Sequence, residues 1–335
     1  MSQSKGILLA NLGTPSSPEV ADVRAYLSEF LMDRHVIDMP WLLRKLLVSG
    51  FILPFRPKQS AHAYASIWQP EGSPLLLQSR ALESALADAL PATMPVALGM
   101  RYGEPSLQKA VGALTAAGIE QILLVALYPQ HADSTRTTCI EAVQAALPSG
   151  TTLTVLPPFY NRPEYIDVLA ASIRPSLTEP FDHLLLSYHG LPERHLSKAD
   201  PTGQHCLQRK DCCNTTSPAH EFCYRHQVFE TSKALIAALD LSADQVTTSF
   251  QSRLGRLPWL TPYTDQTLAA LPGLGVKRLL VACPAFVADN LETLEEIGIQ
   301  GRNTFIEAGG EQLTLVPCLN ASADWVSVLQ SWVSE

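Results

Sequence analysis

Three groups of residues carry types and spacings suited to chemistry. His189 closes the run Leu184-Leu185-Leu186-Ser187-Tyr188 and is followed by Gly190-Leu191-Pro192. A short apolar run reads as a strand buried on both faces, and Gly-Leu-Pro breaks it, so the imidazole stands at a strand end. In an open parallel sheet that edge is where ligands bind. A histidine there is either a hydrogen-bonded structural group or a base, since its ordinary pKa of about 6.5 leaves a neutral ring at cellular pH. Asp289, Glu292 and Glu296 follow Cys283-Pro284 and fall at i, i+3 and i+7, on one face of a helix. The helix dipole favours acids in a first turn, whereas stacked like charges repel by a few tenths of a kcal/mol, as a cation path would require. Both readings stand. The third group is Cys206, Cys212, Cys213 and Cys223, spaced C-x5-CC-x9-C in a polar stretch. Four thiolates so close suit a [2Fe–2S] cluster or a structural Zn2+, with free thiols the remaining alternative.

The elements that must position these groups repeat. Residues 6–15 parallel the His189 segment, 95–103 parallel 246–255, 121–129 parallel 277–284, and 153–157 answer 313–317. Four strands recurring in one order predict an α/β fold of two similar Rossmann-like halves, each a four-stranded parallel sheet with right-handed helical crossovers. Helices are expected over 75–90, 107–117, 224–239 and 265–271, with a connecting helix over 165–177. The halves are placed at 1–165 and 166–335, with a Cys-rich insertion at about 201–223 in the second. Facing halves would leave a cleft lined by the loops after the strands.

The chain of 335 residues is 46% hydrophobic and 17% charged, which is globular and large enough for two domains. Its net charge of −8 without a basic run argues against nucleic acid as a partner. No signal-peptide pattern opens the sequence and no apolar stretch reaches the roughly 18–20 residues of a membrane span, so a cytoplasmic location is expected. Disulfides are then not expected, and Cys139, Cys283 and Cys318 read as buried thiols. The apolar segment 41–55 is either a core helix or an exposed lip that touches a membrane surface, such as the inner membrane, or admits a flat apolar ligand.

The segment Ser187-Tyr188-His189-Gly190-Leu191-Pro192 resembles the histidine motif of ferrochelatases, and Asp289-Asn290-Leu291-Glu292-Thr293-Leu294-Glu295-Glu296 resembles their acidic helix motif. Asn11-Leu12-Gly13-Thr14-Pro15, Gly99-Met100-Arg101-Tyr102, Tyr128-Pro129-Gln130, Phe250-Gln251-Ser252-Arg253 and Pro258-Trp259-Leu260 match further blocks of the family in order. The resemblance implies a class II chelatase-like fold and a lyase that inserts Fe2+ into protoporphyrin IX to form protohaem, the last step of haem biosynthesis. It implies that His189 is base, iron ligand or both, that Glu292 faces it, and that Glu296 and Asp289 extend a metal path. Asn290 departs from relatives that carry histidine there, which puts a ligand role at 290 in doubt.

For the macrocycle the resemblance implies Arg101, Tyr102, Tyr64, Ser73, Gln251, Ser252 and Trp259, with Arg101 pairing with a propionate. Leu12 stands where relatives acting on coproporphyrin carry tyrosine, which favours protoporphyrin IX. The animal-type [2Fe–2S] ligand set does not fit, because Asp133 occupies the loop after Tyr-Pro-Gln and no C-terminal extension follows. An internal cluster on Cys206, Cys212, Cys213 and Cys223, as in some bacterial relatives, is expected instead, together with a monomer. The rivals are a cobalt or nickel chelatase acting on another tetrapyrrole, and a non-catalytic tetrapyrrole or metal carrier.

Overall fold

The apolar runs form the two sheets. In a computed structural model describing residues 4–253, 255 and 257–334, β1 (Lys5–Gly13), β2 (Val96–Tyr102), β3 (Gln121–Ala126) and β4 (Thr152–Val155) form one parallel sheet in the order β2-β1-β3-β4. A second parallel sheet, in the order β6-β5-β7-β8, comprises β5 (His183–His189), β6 (Val246–Gln251), β7 (Arg278–Ala282) and β8 (Gln312–Leu315). The two orders are the same under the repeat read from the sequence. Leu254, within the repeated segment 246–255, lies outside the described residues.

Each sheet is covered on both faces, which is why its central strand is continuously apolar. Ile7, Leu8, Leu9 and Ala10 of β1 are fully buried, as are Leu184, Leu185 and Leu186 of β5. Around β1 and β3 pack Leu107, Val111 and Leu114 from one helix and Val143 from another. Leu268, Ile297 and Phe305 do the same for β5 and β7. Each such side chain contributes about 1.5–3 kcal/mol when fully buried.

The chain forms two compact units. The first is Met1–Tyr128, Asp133–Pro157 and Asn320–Glu335, and the second is Pro129–Ala132 and Pro158–Leu319. The expected division at 165/166 left 320–335 with the second half; the fold returns this segment to the first. The helix Ala323–Ser334 buries Trp325, Leu329, Trp332 and Val333. Within the same unit, Gln330 donates to the Ala89 carbonyl at 2.5 Å and Lys5 donates to the Val333 carbonyl at 2.6 Å. An amphipathic helix follows the surface that covers its apolar side, whatever its place in the chain.

The remaining helices lie close to their expected places, at Pro74–Ala89, Leu107–Ala116, Pro163–Leu177, Tyr224–Ala238 and Thr264–Ala270. Two segments differ from simple helical expectation. Residues 41–55 form the helix Trp41–Leu47 and a π-helical turn, Val48–Ile52. Trp41, Leu42, Leu46, Phe51 and Phe55 are 57–76% exposed, while Arg44 is buried and donates to the Ile37 and Met39 carbonyls. Most of the apolar side chains form an exposed lip, while Val48 and Leu53 pack with Leu31 in a small buried core. The acidic segment is a π-helix, Glu292–Gly301, not an α-helix, and Asp289 precedes it. The three acids therefore do not share an α-helical face. The wider i→i+5 turn instead stacks Glu292 near Glu296, four residues on.

Candidate active site

His189 is the last residue of β5, and three contacts fix it. Its Nδ1 lies 2.7 Å from the Gly190 carbonyl, an acceptor only, so in the neutral ring the proton resides on Nδ1 and Nε2 keeps its lone pair. The His189 carbonyl accepts from the Tyr224 hydroxyl at 2.9 Å, and the ring stands edge-on to Phe286 at 6.3 Å. In the β5–β6 register His189 is opposite Gln251, and the Gly190 N–H donates to the Gln251 carbonyl at 2.7 Å. A Cβ on Gly190 would sit 2.8 Å from that carbonyl oxygen, which explains the glycine after the histidine.

Glu292 opens the π-helix within electrostatic reach of His189. Burial raises its carboxyl pKa above the ordinary value; the histidine acts in the opposite direction, and the negative charges of Glu296 and Glu295 add to the rise. A proton is thereby held more tightly than on an exposed glutamate. Glu296 is gripped by Ser252, whose N–H donates to one carboxylate oxygen at 2.8 Å and whose hydroxyl donates to the other. Asp289 is buried and accepts from the Thr293 hydroxyl at 3.2 Å and the Cys318 N–H at 3.3 Å. Asn290 is a cap. Its Oδ1 accepts from the Thr293 N–H and its own N–H donates to the Thr293 hydroxyl, both at 3.0 Å. The Asn-x-x-Thr spacing was the sequence signal for this reciprocal cap.

Trp259 is partly exposed and pairs through its backbone with Pro192, two residues after Gly190. His189, Glu292, Glu296, Asp289, Gln251, Ser252 and Trp259 all belong to the second unit. Arg101, Tyr102, Tyr64 and Ser73 belong to the first, where hydrogen bonds and packing engage them. Arg101 donates to Asp33 at 2.5 Å and to the Thr138 hydroxyl at 2.7 Å. Asp33 also accepts from the hydroxyls of Thr138 and Tyr102. Burial alone would raise the Asp33 pKa, but these hydrogen bonds and the Arg101 charge outweigh it and hold the carboxyl below its usual range. Tyr102 is fully buried, Tyr64 packs edge-on to Tyr26 and Trp68, and Ser73 caps a helix by accepting from the Leu76 N–H. Asp33 had no signal in the sequence, because its partners lie 68 and 105 residues away.

The four clustered cysteines are all buried and free. Cys223 lies within hydrogen-bonding reach of Cys206 and Cys213, and Cys213 of Cys212. The Arg225 guanidinium donates to Cys213 Sγ at 3.4 Å and to Cys212 Sγ at 3.9 Å. Imidazole nitrogens of His205 and His220 meet the Cys212 carbonyl at 2.7 and 2.8 Å, and one of His226 meets the Cys213 carbonyl at 2.7 Å. Asp200 accepts from the N–H groups of His205 and Cys206. The donor chemistry and the cationic neighbour fit an iron–sulfur group. As the side chains stand, no group of three or more His, Cys, Asp or Glu among the described residues is arranged to hold a metal ion.

Comparison with known proteins adds the following. The family model described as Ferrochelatase matches residues 4–335. The chain is 55% identical over 329 residues to the ferrochelatase of Stutzerimonas stutzeri (strain A1501), covering 97% of this chain and 96% of that one. It is 56% identical over 328 residues to those of Ectopseudomonas mendocina (strain ymp) and Azotobacter vinelandii (strain DJ / ATCC BAA-1303), covering 97% and 96% of this chain and 96% of each relative. Among solved structures, SirB from Bacillus subtilis with Fe3+ superposes with a TM-score of 0.53 at 11% identity, covering 79% of this chain and 91% of that chain. At that identity the likeness concerns the fold alone.

Proposed function

The chain belongs to the ferrochelatase family and inserts Fe2+ into protoporphyrin in haem biosynthesis, and from that premise we propose that His189 and Glu292 carry the two proton transfers the reaction requires. Metallation replaces two pyrrole N–H protons by one divalent cation, so an acceptor must stand ready for each proton. His189 Nε2 takes one. Its lone pair is available because the Gly190 carbonyl holds the ring proton on Nδ1. Glu292 takes or relays the other. Its raised proton affinity suits a group that takes up a proton and passes it outward.

Glu296 and Asp289 form the outer part of the same track, for protons leaving or for Fe2+ arriving. On this reading the enzyme is a lyase, its porphyrin is protoporphyrin IX, and its product is protohaem. Trp259 offers the macrocycle an apolar face. Arg101 offers a propionate its guanidinium, in competition with Asp33. Tyr64, Tyr102 and Ser73 are buried and support this by shaping the first unit.

Cys206, Cys212, Cys213 and Cys223 would hold a [2Fe–2S] cluster, with Arg225 offsetting its negative charge. Bound there, the group supplies one-electron redox chemistry; no step of metallation is assigned to it. Among the described residues no helix is long and apolar enough to cross a membrane. The exposed Trp41, Leu42, Leu46, Phe51 and Phe55, beside the exposed cations Lys45, Arg56 and Lys58, instead support peripheral contact with a membrane by an otherwise cytoplasmic protein.

The single observation that carries the proposal is the Nδ1 hydrogen bond of His189. The test is an anaerobic assay of wild type and His189→Ala with Fe2+, Co2+ and Ni2+ in excess protoporphyrin IX. Many haems per wild-type chain, made with Fe2+ and lost in the variant, are expected. A single turnover would indicate a carrier, and a preference for Co2+ or Ni2+ another chelatase.

A further inference from the structure

Gln251 and Ser252 are neighbours at the end of β6, and the expected role for both was contact with the porphyrin. Their side chains are engaged elsewhere. Gln251 is 3% exposed and both ends of its amide are committed. Its Oε1 accepts from the Ser187 hydroxyl at 2.6 Å, and its Nε2 donates to the Glu292 carbonyl at 2.8 Å. Its main chain is the partner of His189 in the sheet and accepts from the Gly190 N–H. One residue thus touches the strand that ends in the imidazole and the turn that begins with the acid. Ser252 has a left-handed backbone, φ 65°, which a residue with a Cβ adopts only when its surroundings require it. That conformation goes with the aim of its N–H and hydroxyl at the two oxygens of Glu296. The two residues grip the π-helix at its first residue and again four residues later.

We propose that Gln251 and Ser252 are positioning residues of metallation, holding the acidic π-helix against β5 so that Glu292 keeps its place beside His189. The inference rests on the roles given to His189 and Glu292 above. A displacement of about 1 Å in a reacting group can lower a rate by about 100-fold, so the loss should fall on turnover and not on porphyrin affinity.

The test is anaerobic steady-state kinetics with Fe2+ and protoporphyrin IX on the full chain, comparing wild type, Gln251→Met and Ser252→Gly, with thermal midpoints alongside. Methionine keeps the length of the side chain and loses both hydrogen bonds. Glycine removes the hydroxyl and accepts the left-handed φ, so backbone strain does not confuse the result. The expected outcome is a kcat lowered about tenfold or more in Gln251→Met and severalfold in Ser252→Gly, with the porphyrin KM within about twofold of wild type. Should Gln251→Met fail to fold, Ser252→Gly carries the test alone. A porphyrin KM that rises at constant kcat overturns the inference and makes the two residues ring contacts. Unchanged constants in both variants also overturn it. Its failure is separable from failure of the underlying reading, in which His189→Ala and Glu292→Gln would themselves turn over like wild type.

Discussion

In its neutral ring His189 donates the Nδ1–H to the carbonyl of the next residue, Gly190, across 2.7 Å. The histidine's tautomer is therefore set by local backbone, independent of substrate. In 15N-detected NMR of the resting protein at about pH 7.5, the His189 Nε2 resonance should lie in the unprotonated range and Nδ1 in the protonated range. A protonated Nε2 in the neutral ring would remove the free lone pair on which the base assignment depends.

Glu292 should weaken the fold that it makes active. A carboxyl whose pKa rises on folding costs nothing below its unfolded value of 4.5. The cost appears as pH climbs from there through the raised folded value, because the unfolded chain then releases its proton first. Glu292→Gln should accordingly melt above wild type at about pH 8, and level with it at about pH 4. In the same variant kcat should fall by about 100-fold or more. Calorimetry at the two pH values, with the anaerobic assay, checks both halves.

The outward apolar side chains between Trp41 and Phe55 predict binding to lipid. Replacing Leu42, Leu46 and Phe55 together by glutamine removes exposed apolar area that is worth about 1.5–3 kcal/mol per side chain when fully buried. Co-sedimentation with anionic phosphatidylglycerol vesicles should drop at least about tenfold, with the thermal midpoint unchanged. Equal sedimentation of the two proteins would reject membrane contact.

For the cysteine group the measurement is iron and acid-labile sulfide in protein purified without oxygen. About two of each per chain are expected, with visible absorption of a [2Fe–2S] centre. Cys213→Ser should lose most of both, because Cys213 neighbours Cys212 and Cys223 and the Arg225 guanidinium. Colourless wild-type protein with neither element would refute the cluster.

Much of this protein was legible without coordinates. That the chain holds two like four-stranded parallel sheets follows from the repeat of four strands, whose central members, buried on both faces, leave an unbroken apolar run; the order of strands within each sheet came from the fold. His189 at a strand end was visible because Gly-Leu-Pro cannot extend a strand, and an ordered set of family motifs marked the chemistry. Other features depend on partners distant in sequence or on backbone geometry. The acidic segment has α-helical spacing, yet it winds as a π-helix, with Asn290 and Thr293 capping its start and Ser252 holding Glu296. The apolar residues of 41–55 fit a core helix equally well by composition. Tertiary packing turned Arg44 inward and Leu42, Leu43 and Leu46 outward, because a buried guanidinium is tolerated where backbone carbonyls such as those of Ile37 and Met39 accept from it. Only the folded chain could give Arg101 its Asp33, Gln251 its Glu292 and the C-terminal helix its place on the first unit. Periodicity records which face is buried, whereas pairing depends on which surfaces meet.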